Sequence, residues 1–172
     1  MKWLKRSVAV LSTAVLGSGG PSLAEAQKGS LRSSKIPEKW SVGQGAYEGR
    51  PLITRFNMGL KPFVGDPEYP NQLGIAVPFK DRTADGLPTA AEIEELNSIE
   101  DEIAKRLTVG NESVLAGVIT TNNMREFVLY TSDAKAATAK AEKLRKDVTT
   151  HRIQFEMHVD PGWQNFKDLA PK

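Results

Sequence analysis

The chain contains no cysteine among its 172 residues. Its absence excludes disulfide bonds, thiolate catalysis, cysteine-ligated zinc and iron–sulfur clusters. Histidine is nearly as scarce, since only His151 and His158 are present. These two lie seven positions apart across a predicted strand, about 20 Å along a straight strand, so one metal ion could not bind both. We therefore expect no metal site and no cofactor.

The chain also lacks an apolar run of the about 20 residues that a membrane-spanning helix needs. The most apolar stretch, Ser7 to Leu16, is preceded by a basic start and followed by Ala24-Glu25-Ala26. This order is typical of a secretory signal peptide over residues 1–26. We expect cleavage after Ala24 or Ala26 and a periplasmic or secreted protein that does not span the membrane after cleavage.

Excess charge of one sign is missing once that leader is removed. The whole chain has 23 basic and 21 acidic residues. The leader holds three of the basic residues and one acidic residue, which leaves 20 of each. The sequence pI of about 8.8 then reflects the leader, and no group of Lys and Arg is interleaved with aromatic residues. Nucleic acid is therefore not an expected partner, because phosphate binding depends on such positive patches.

The chain after the leader divides into a lead-in and one domain. Residues 27–39 are rich in Gly, Ser, Pro and charge, and they offer little apolar surface to offset the entropy of ordering them. We predict a flexible lead-in there. The remaining residues, 40–172, have the length of one domain that buries a core without covalent or metal cross-links.

Alternation of apolar and polar residues predicts six strands. They are Trp40 to Tyr47, Leu52 to Met58, Leu73 to Phe79, Ser113 to Thr120, Glu126 to Tyr130 and Arg152 to Val159. Thr89 and Glu92 form a capping-box pattern, and an apolar stripe at three- and four-residue spacing then predicts a helix from Ala90 to about Thr108. A second helix is predicted from Ala134 to about Val148, capped by Ser132 or Asp133.

The order of these elements predicts an α+β protein. The last six follow the β-α-β-β-α-β order of a ferredoxin-like core, with extra N-terminal strands before it. Both helices would cover one face of a mostly antiparallel sheet, which gives a two-layer sandwich. The polar row on the last strand indicates that the other face is partly open to solvent.

Short motifs at ordered positions resemble an uncharacterised bacterial family, domain-of-unknown-function family 695. They are Trp40, Tyr69-Pro70, Gly86-x-Pro88, Ile99-Glu100-Asp101, Thr120, Arg125, Tyr130 and Asp160-Pro161-Gly162-Trp163. The resemblance covers about Trp40 to Pro171 and implies no activity. Some members look fused to a domain similar to a ribonuclease-E inhibitor, which implies regulatory binding. This chain lacks that domain, and its predicted leader would place it across a membrane from such a target.

No residue pattern assigns a catalytic group. The sequence has no G-x-S-x-G nucleophile elbow. Ser132, His158 and Asp160 supply the residue types of a Ser-His-Asp catalytic triad, but no motif or spacing places them together. The acidic residues of the first predicted helix are expected on its solvated face, where the first-turn acids favour the helix dipole. They are Glu92, Glu94, Glu95, Glu100, Asp101 and Glu102.

Five residues form the candidate binding surface: Arg125, Tyr130, His158, Asp160 and Trp163. Guanidinium and aromatic groups are enriched in binding sites, although Tyr and Trp are equally suited to the edge of a core. We expect a non-catalytic module that binds a protein or a small-molecule ligand. The alternative is a small envelope hydrolase with a carboxylate or hydroxyl site on the open sheet face. A homodimer formed by sheet pairing is a further expectation.

Overall fold

The computed structural model describes residues 30–171. The predicted signal peptide and the start of the lead-in, residues 27–29, lie outside the described residues. The strands are β1 (Trp40–Tyr47), β2 (Arg50–Asn57), β3 (Asn71–Pro78), β4 (Ser113–Thr121), β5 (Met124–Thr131) and β6 (Gln154–Val159). The helices are α1 (Ala90–Leu107), α2 (Ala134–Asp147) and α3 (Gln164–Leu169), and short 3-10 turns lie at Leu31–Ser33, Met58–Phe63 and Val109–Asn111.

The six strands form one sheet in the order β1-β2-β4-β5-β3-β6. Every neighbouring pair is antiparallel. The α+β class with an antiparallel sheet is therefore confirmed. The strands β3 to β6, with α1 and α2 between them, keep the predicted chain order. That order is consistent with a ferredoxin-like core.

The face of the sheet under α1 and α2 carries the first apolar core. Leu96 and Ile103 of α1 are fully buried there with Leu73 of β3 and Phe127 of β5, and Phe155 of β6 packs against them. Ala137 and Ala141 let α2 lie close to the sheet. The period-3.6 stripe of α1 and the period-2 rows of the strands thus meet as their spacing predicts.

The opposite face carries a second core, so the two-layer description is incomplete. Phe56, Val128 and Tyr130 of the sheet are buried there against Trp163 and Phe166 from the C-terminal segment. The Met58–Phe63 turn adds Leu60 to the same cluster. The segment that follows this turn adds Tyr69, which is fully buried.

The lead-in is docked onto this second core. Leu31 is fully buried in it, and the side-chain amide of Asn111 donates to the carbonyl oxygens of Leu31, Arg32 and Ser34 at 3.0–3.3 Å. The expected flexibility therefore needs correction for residues 30–39. One buried leucine and one asparagine supply contacts that local composition does not reveal.

Within residues 30–171, every helix is too short or too polar to cross a bilayer.

Candidate functional site

Two of the five candidate surface residues lie inside the second core. The rings of Tyr130 and Trp163 stack with centroids 4.0 Å apart and an interplanar angle of 3°, and both are fully buried. The indole Nε1 of Trp163 donates to the carbonyl oxygen of Tyr69 at 2.9 Å. Burial, together with the hydrogen bond to Asp160, raises the pKa of Tyr130 above its ordinary value. These rings therefore stabilise the fold and present no aromatic surface to a partner.

Asp160 joins that core to the last helix. Its carboxylate accepts a hydrogen bond from the phenolic hydroxyl of Tyr130 at 2.8 Å. It also accepts hydrogen bonds from the backbone N–H of Gln164 at 2.8 and 2.9 Å. The second bond satisfies an otherwise free N–H at the start of α3. His158 lies across Gln72 from Tyr130 in the sheet register, with Nε2 3.5 Å from a carboxylate oxygen of Glu156.

Arg125 lies on the opposite side of the sheet from these four residues. It belongs to the odd-numbered residues of β5, whose side chains face α1. Tyr130 belongs to the even-numbered residues, whose side chains face the other way. Only 8% of Arg125 is exposed. Its Nη1 donates to Asn97 of α1 at 3.0 Å and its Nε to the hydroxyl of Thr120 at 3.4 Å. The structure therefore does not gather the five residues into one surface.

A different group of charged residues lies on the α1 side. Arg55 of β2 places Nη2 2.7 and 2.5 Å from the two carboxylate oxygens of Glu100. Its guanidinium carbon lies 5.0 Å from the ring centroid of Trp40, within cation–π range. The pKa of the Arg125 guanidinium is lowered, chiefly by burial. The negative charge of Glu100 opposes this shift, and the positive charge of Arg55 adds to it. These contacts fix Arg55, Glu100 and Trp40 along one flank of α1.

Beside this flank lies a cavity of about 610 Å³, called here the α1 cleft. It opens because α1 and α2 cover the β4-β5-β3-β6 part of the sheet and leave β1 and β2 without a helix above them. The residues on which its chemistry depends are Lys35 and Glu38 of the lead-in, Trp40 of β1, and Glu100 and Asp101 of α1. A site of this volume can enclose a side chain or a small ligand.

A second group of polar residues lies on the other face, over small side chains of β3. Ala76 pairs with Glu126 on one side and with Gln154 on the other, and Glu156 follows on the same row of β6. Glu126 is 5% exposed, and burial, reinforced by the charge of Glu156, raises its pKa to about 7. Among the described residues, the buried Nε2 of Gln154 has no hydrogen-bond partner. We call Glu126, Gln154 and Glu156 the carboxylate row.

Glu92 and His151 form a buried pair that contradicts one prediction. Glu92 was expected on the solvated face of α1, but it is buried and accepts a hydrogen bond from His151 Nε2 at 2.8 Å. It also accepts the backbone N–H groups of Lys80 and Asp81 at 3.1 and 3.2 Å. The capping box is therefore half formed, since the Thr89 hydroxyl accepts the Glu92 N–H while the Glu92 carboxylate binds elsewhere.

Metal binding gains no support from these groups. Within residues 30–171, no three His, Asp or Glu side chains lie close enough together to hold an ion.

Sequence reasoning missed Arg55, Glu126 and the Glu92–His151 pair. Arg55 lies on the partly exposed row of β2, where a charged residue is not unusual. Glu126 interrupts a strand that is buried on both faces, and a charge at such a position must find a partner or shift its pKa. That interruption was the available signal. The Glu92–His151 pair carries no local signal, because 59 positions separate its members.

The fold and the two polar groups define an α+β domain with one antiparallel sheet and a cleft beside its first helix. Comparison with protein families identifies the group to which it belongs. The chain is a member of the Family of unknown function (DUF695), whose model matches residues 38–169. The family resemblance of the sequence motifs is thereby confirmed. A search of curated proteins finds no match to the chain.

Proposed function

We propose that this chain is an exported, non-catalytic binding module whose ligand occupies the α1 cleft. The observation that carries the proposal is the set of fixed polar and aromatic groups that line this cavity. The structure supports a ligand that bears a protonated amine or a guanidinium group, such as a lysine or arginine side chain of a peptide.

Charge favours a cationic ligand. Three carboxylates, Glu38, Glu100 and Asp101, line the cleft against one ammonium group, Lys35. Arg55 compensates Glu100. Among residues 30–171, Glu38 and Asp101 form no ion pair, and both are exposed. Two carboxylates without an ion pair in residues 30–171 therefore face one ammonium group, Lys35, and they can bind a cation of the ligand.

Trp40 adds an apolar and π-electron surface to the same cavity. It is partly exposed, and Arg55 already lies over its ring. A tryptophan face together with carboxylates is a combination that recognises ammonium and guanidinium groups. Of the two tryptophans within residues 30–171, Trp163 is buried in the second core, so Trp40 is the one that would sense a ligand in the cleft.

The test measures tryptophan fluorescence of the mature chain during titration with peptides that differ only in Lys, Glu or Gln at one position. We expect the Lys peptide to bind and the double variant Glu38→Gln/Asp101→Asn to weaken that binding about tenfold, a loss of one close charge interaction. Glu94→Gln, an exposed carboxylate on α1 outside the cleft, is the matched control and should leave binding unchanged. Equal binding of the three peptides would overturn the proposal.

Export is the second part of the proposal, and the leader pattern over residues 1–26 supports it. Protein recovered from the envelope or the medium should begin at Glu25 or Gln27 when its N-terminus is sequenced. Leu11→Arg, which interrupts the apolar run, should leave the full-length chain in the cytoplasm. Recovery of envelope protein that still begins with Met1 would contradict cleavage.

A hydrolase at the carboxylate row is the second candidate function. The raised pKa of Glu126 makes it a proton donor near neutral pH, whereas Glu156, with 42% of its side chain exposed, is the more solvated carboxylate of the two. A protonated and an ionised carboxyl group, here on the two strands that flank β3, are the two partners of general acid–base hydrolysis.

A panel of chromogenic esters, phosphates and glycosides tests this candidate. Hydrolysis should disappear in both Glu126→Gln and Glu156→Gln, persist in Glu94→Gln, and decline above a pH of about 7 as Glu126 loses its proton. A rate unaffected by both substitutions would eliminate the carboxylate row as its source.

A further inference from the structure

The outer edge of β1 is an open pairing site. β1 is the first strand of the sheet order, and all eight of its residues pair with β2 on its inner side. Within residues 30–171, no strand pairs with its outer side. Backbone donors and acceptors along that side are therefore available to another strand.

The β1–β2 turn fixes which residues bond outward. Glu48 and Gly49 both have positive φ, 51° and 76°, as a two-residue type I′ hairpin requires. The flanking pair Tyr47 and Arg50 is then hydrogen-bonded, and the alternation of an antiparallel ladder directs the N–H and C=O groups of Trp40, Val42, Gln44 and Ala46 outward.

β1 lacks the devices that normally protect an edge strand. It contains no charged residue and no proline, and its register with β2 runs without a bulge. Val42, a residue of β1, is 61% exposed. The other edge strand, β6, is shorter and carries Glu156. Long, uncharged and regular edges are those at which chains pair.

We propose that two mature copies of this chain pair β1 with β1 in antiparallel orientation, which joins their sheets into one. The occupant is a second copy because two-fold pairing places each side chain near its own counterpart. A charged strand would then bring like charges together, which is destabilising, whereas β1 brings none. Pairing through β1 goes beyond the proposed function and does not depend on the α1 cleft.

The four outward residues determine the register. They are symmetric about Gly43, so an axis through Gly43 lets all of them bond and places Trp40 opposite Ala46 and Val42 opposite Gln44 of the other copy. Residues of the same parity then face each other, which keeps the helices of both copies on one side of the joined sheet. A single pair of strands is small beside the roughly 1,200–2,000 Å² of stable interfaces, so we expect a dimer that dissociates on dilution.

Sedimentation velocity of mature chain 27–172 over a range of concentrations tests the pairing. The wild type should shift from monomer to dimer as concentration rises. Gln44→Pro removes one outward N–H, and Gln44→Lys brings one ammonium group from each copy to neighbouring positions beside the axis, so both should remain monomeric. Gln44→Ala keeps the backbone bonds and should still dimerise. Thermal unfolding of each variant confirms that it is folded.

Salt separates the two effects, because screening should restore dimerisation of Gln44→Lys but not of Gln44→Pro. Should Gln44→Pro fail to fold, Gln44→Lys alone decides the question. A wild type that stays monomeric up to millimolar concentration overturns the proposal. So does a dimer that persists in Gln44→Lys at low salt, since its interface would lie elsewhere.

Discussion

The Nε2 atom of His151 lies 2.8 Å from a carboxylate oxygen of Glu92, and both side chains are buried. The pair connects the first turn of α1 to the segment that leads into β6. Glu92 also accepts two backbone N–H groups from residues 80 and 81. Three separate parts of the chain therefore meet at one carboxylate.

Removing one member of this pair should destabilise the domain strongly. We expect His151→Ala or Glu92→Ala to lower the free energy of unfolding by about 3 kcal/mol, because each leaves a buried polar or charged group without its partner. Urea denaturation at pH 7 measures the loss. Glu94→Ala, at an exposed position of the same helix, is the control. A change for His151→Ala as small as that of the control would contradict the structural role.

The same pair predicts sensitivity to acid. Burial alone would raise the pKa of Glu92, but the hydrogen bonds from His151 and two backbone N–H groups outweigh it and lower the pKa below the usual value. The ionised carboxylate therefore stabilises the fold at pH above about 4.5, and this contribution is lost as pH falls through the folded-state pKa. Unfolding curves should show a smaller acid loss for Glu92→Gln than for the wild type.

The raised pKa of Glu126 predicts the opposite pH dependence, in which the free energy of unfolding falls as pH rises. Its pKa of about 7 in the fold exceeds the ordinary value of 4.5, so the folded state keeps a proton that the unfolded chain releases. Stability should fall as pH rises from about 4.5 to 7, by about 3 kcal/mol. Glu126→Gln should remove this slope and be more stable than the wild type at pH 8. An identical pH profile for the two proteins would show that Glu126 ionises normally.

Asp160 should act on stability rather than on recognition. Asp160→Ala removes the acceptor of the Tyr130 hydroxyl and of the first N–H of α3, at a cost of about 2 kcal/mol. Thermal unfolding measures it, with the exposed Asp168→Ala as control. Peptide binding at the α1 cleft should be unchanged in folded Asp160→Ala, since Asp160 lies on the opposite side of the sheet.

Leu31 should anchor the lead-in. Leu31→Ala is expected to lower the free energy of unfolding by about 3 kcal/mol, the usual cost of truncating a fully buried leucine. It should also speed proteolysis within residues 30–39. Arg32→Ala, the exposed neighbour, is the control for both measurements. Unchanged proteolysis in Leu31→Ala would mean that the Asn111 hydrogen bonds hold the segment alone.

The regular elements could be predicted from local pattern because each has one strongly apolar face. α1 begins at Ala90 as expected and ends one residue early, and β1 has the predicted bounds. Glu92 was misplaced because its position follows from a histidine far along the chain. Local periodicity does not report such long-range partners.

The candidate surface was harder to predict because β5 is buried on both sides. Arg125 and Tyr130 lie five positions apart on one strand and therefore face opposite ways, yet a strand without a solvated row offers no pattern that separates surface from core. Trp163 adopts a left-handed backbone conformation, with φ of 53°, and its ring stacks on Tyr130, 33 positions earlier in the chain. Such a long-range contact has no local sequence signal.

The buried position of Leu31 constrains the order in which the chain can fold. Leu31 shares its apolar cluster with Trp163 and Phe166, so it packs against residues that are synthesised long after it. The second core therefore closes only after residue 166 has left the ribosome. Until then this core lacks two of its large aromatic side chains.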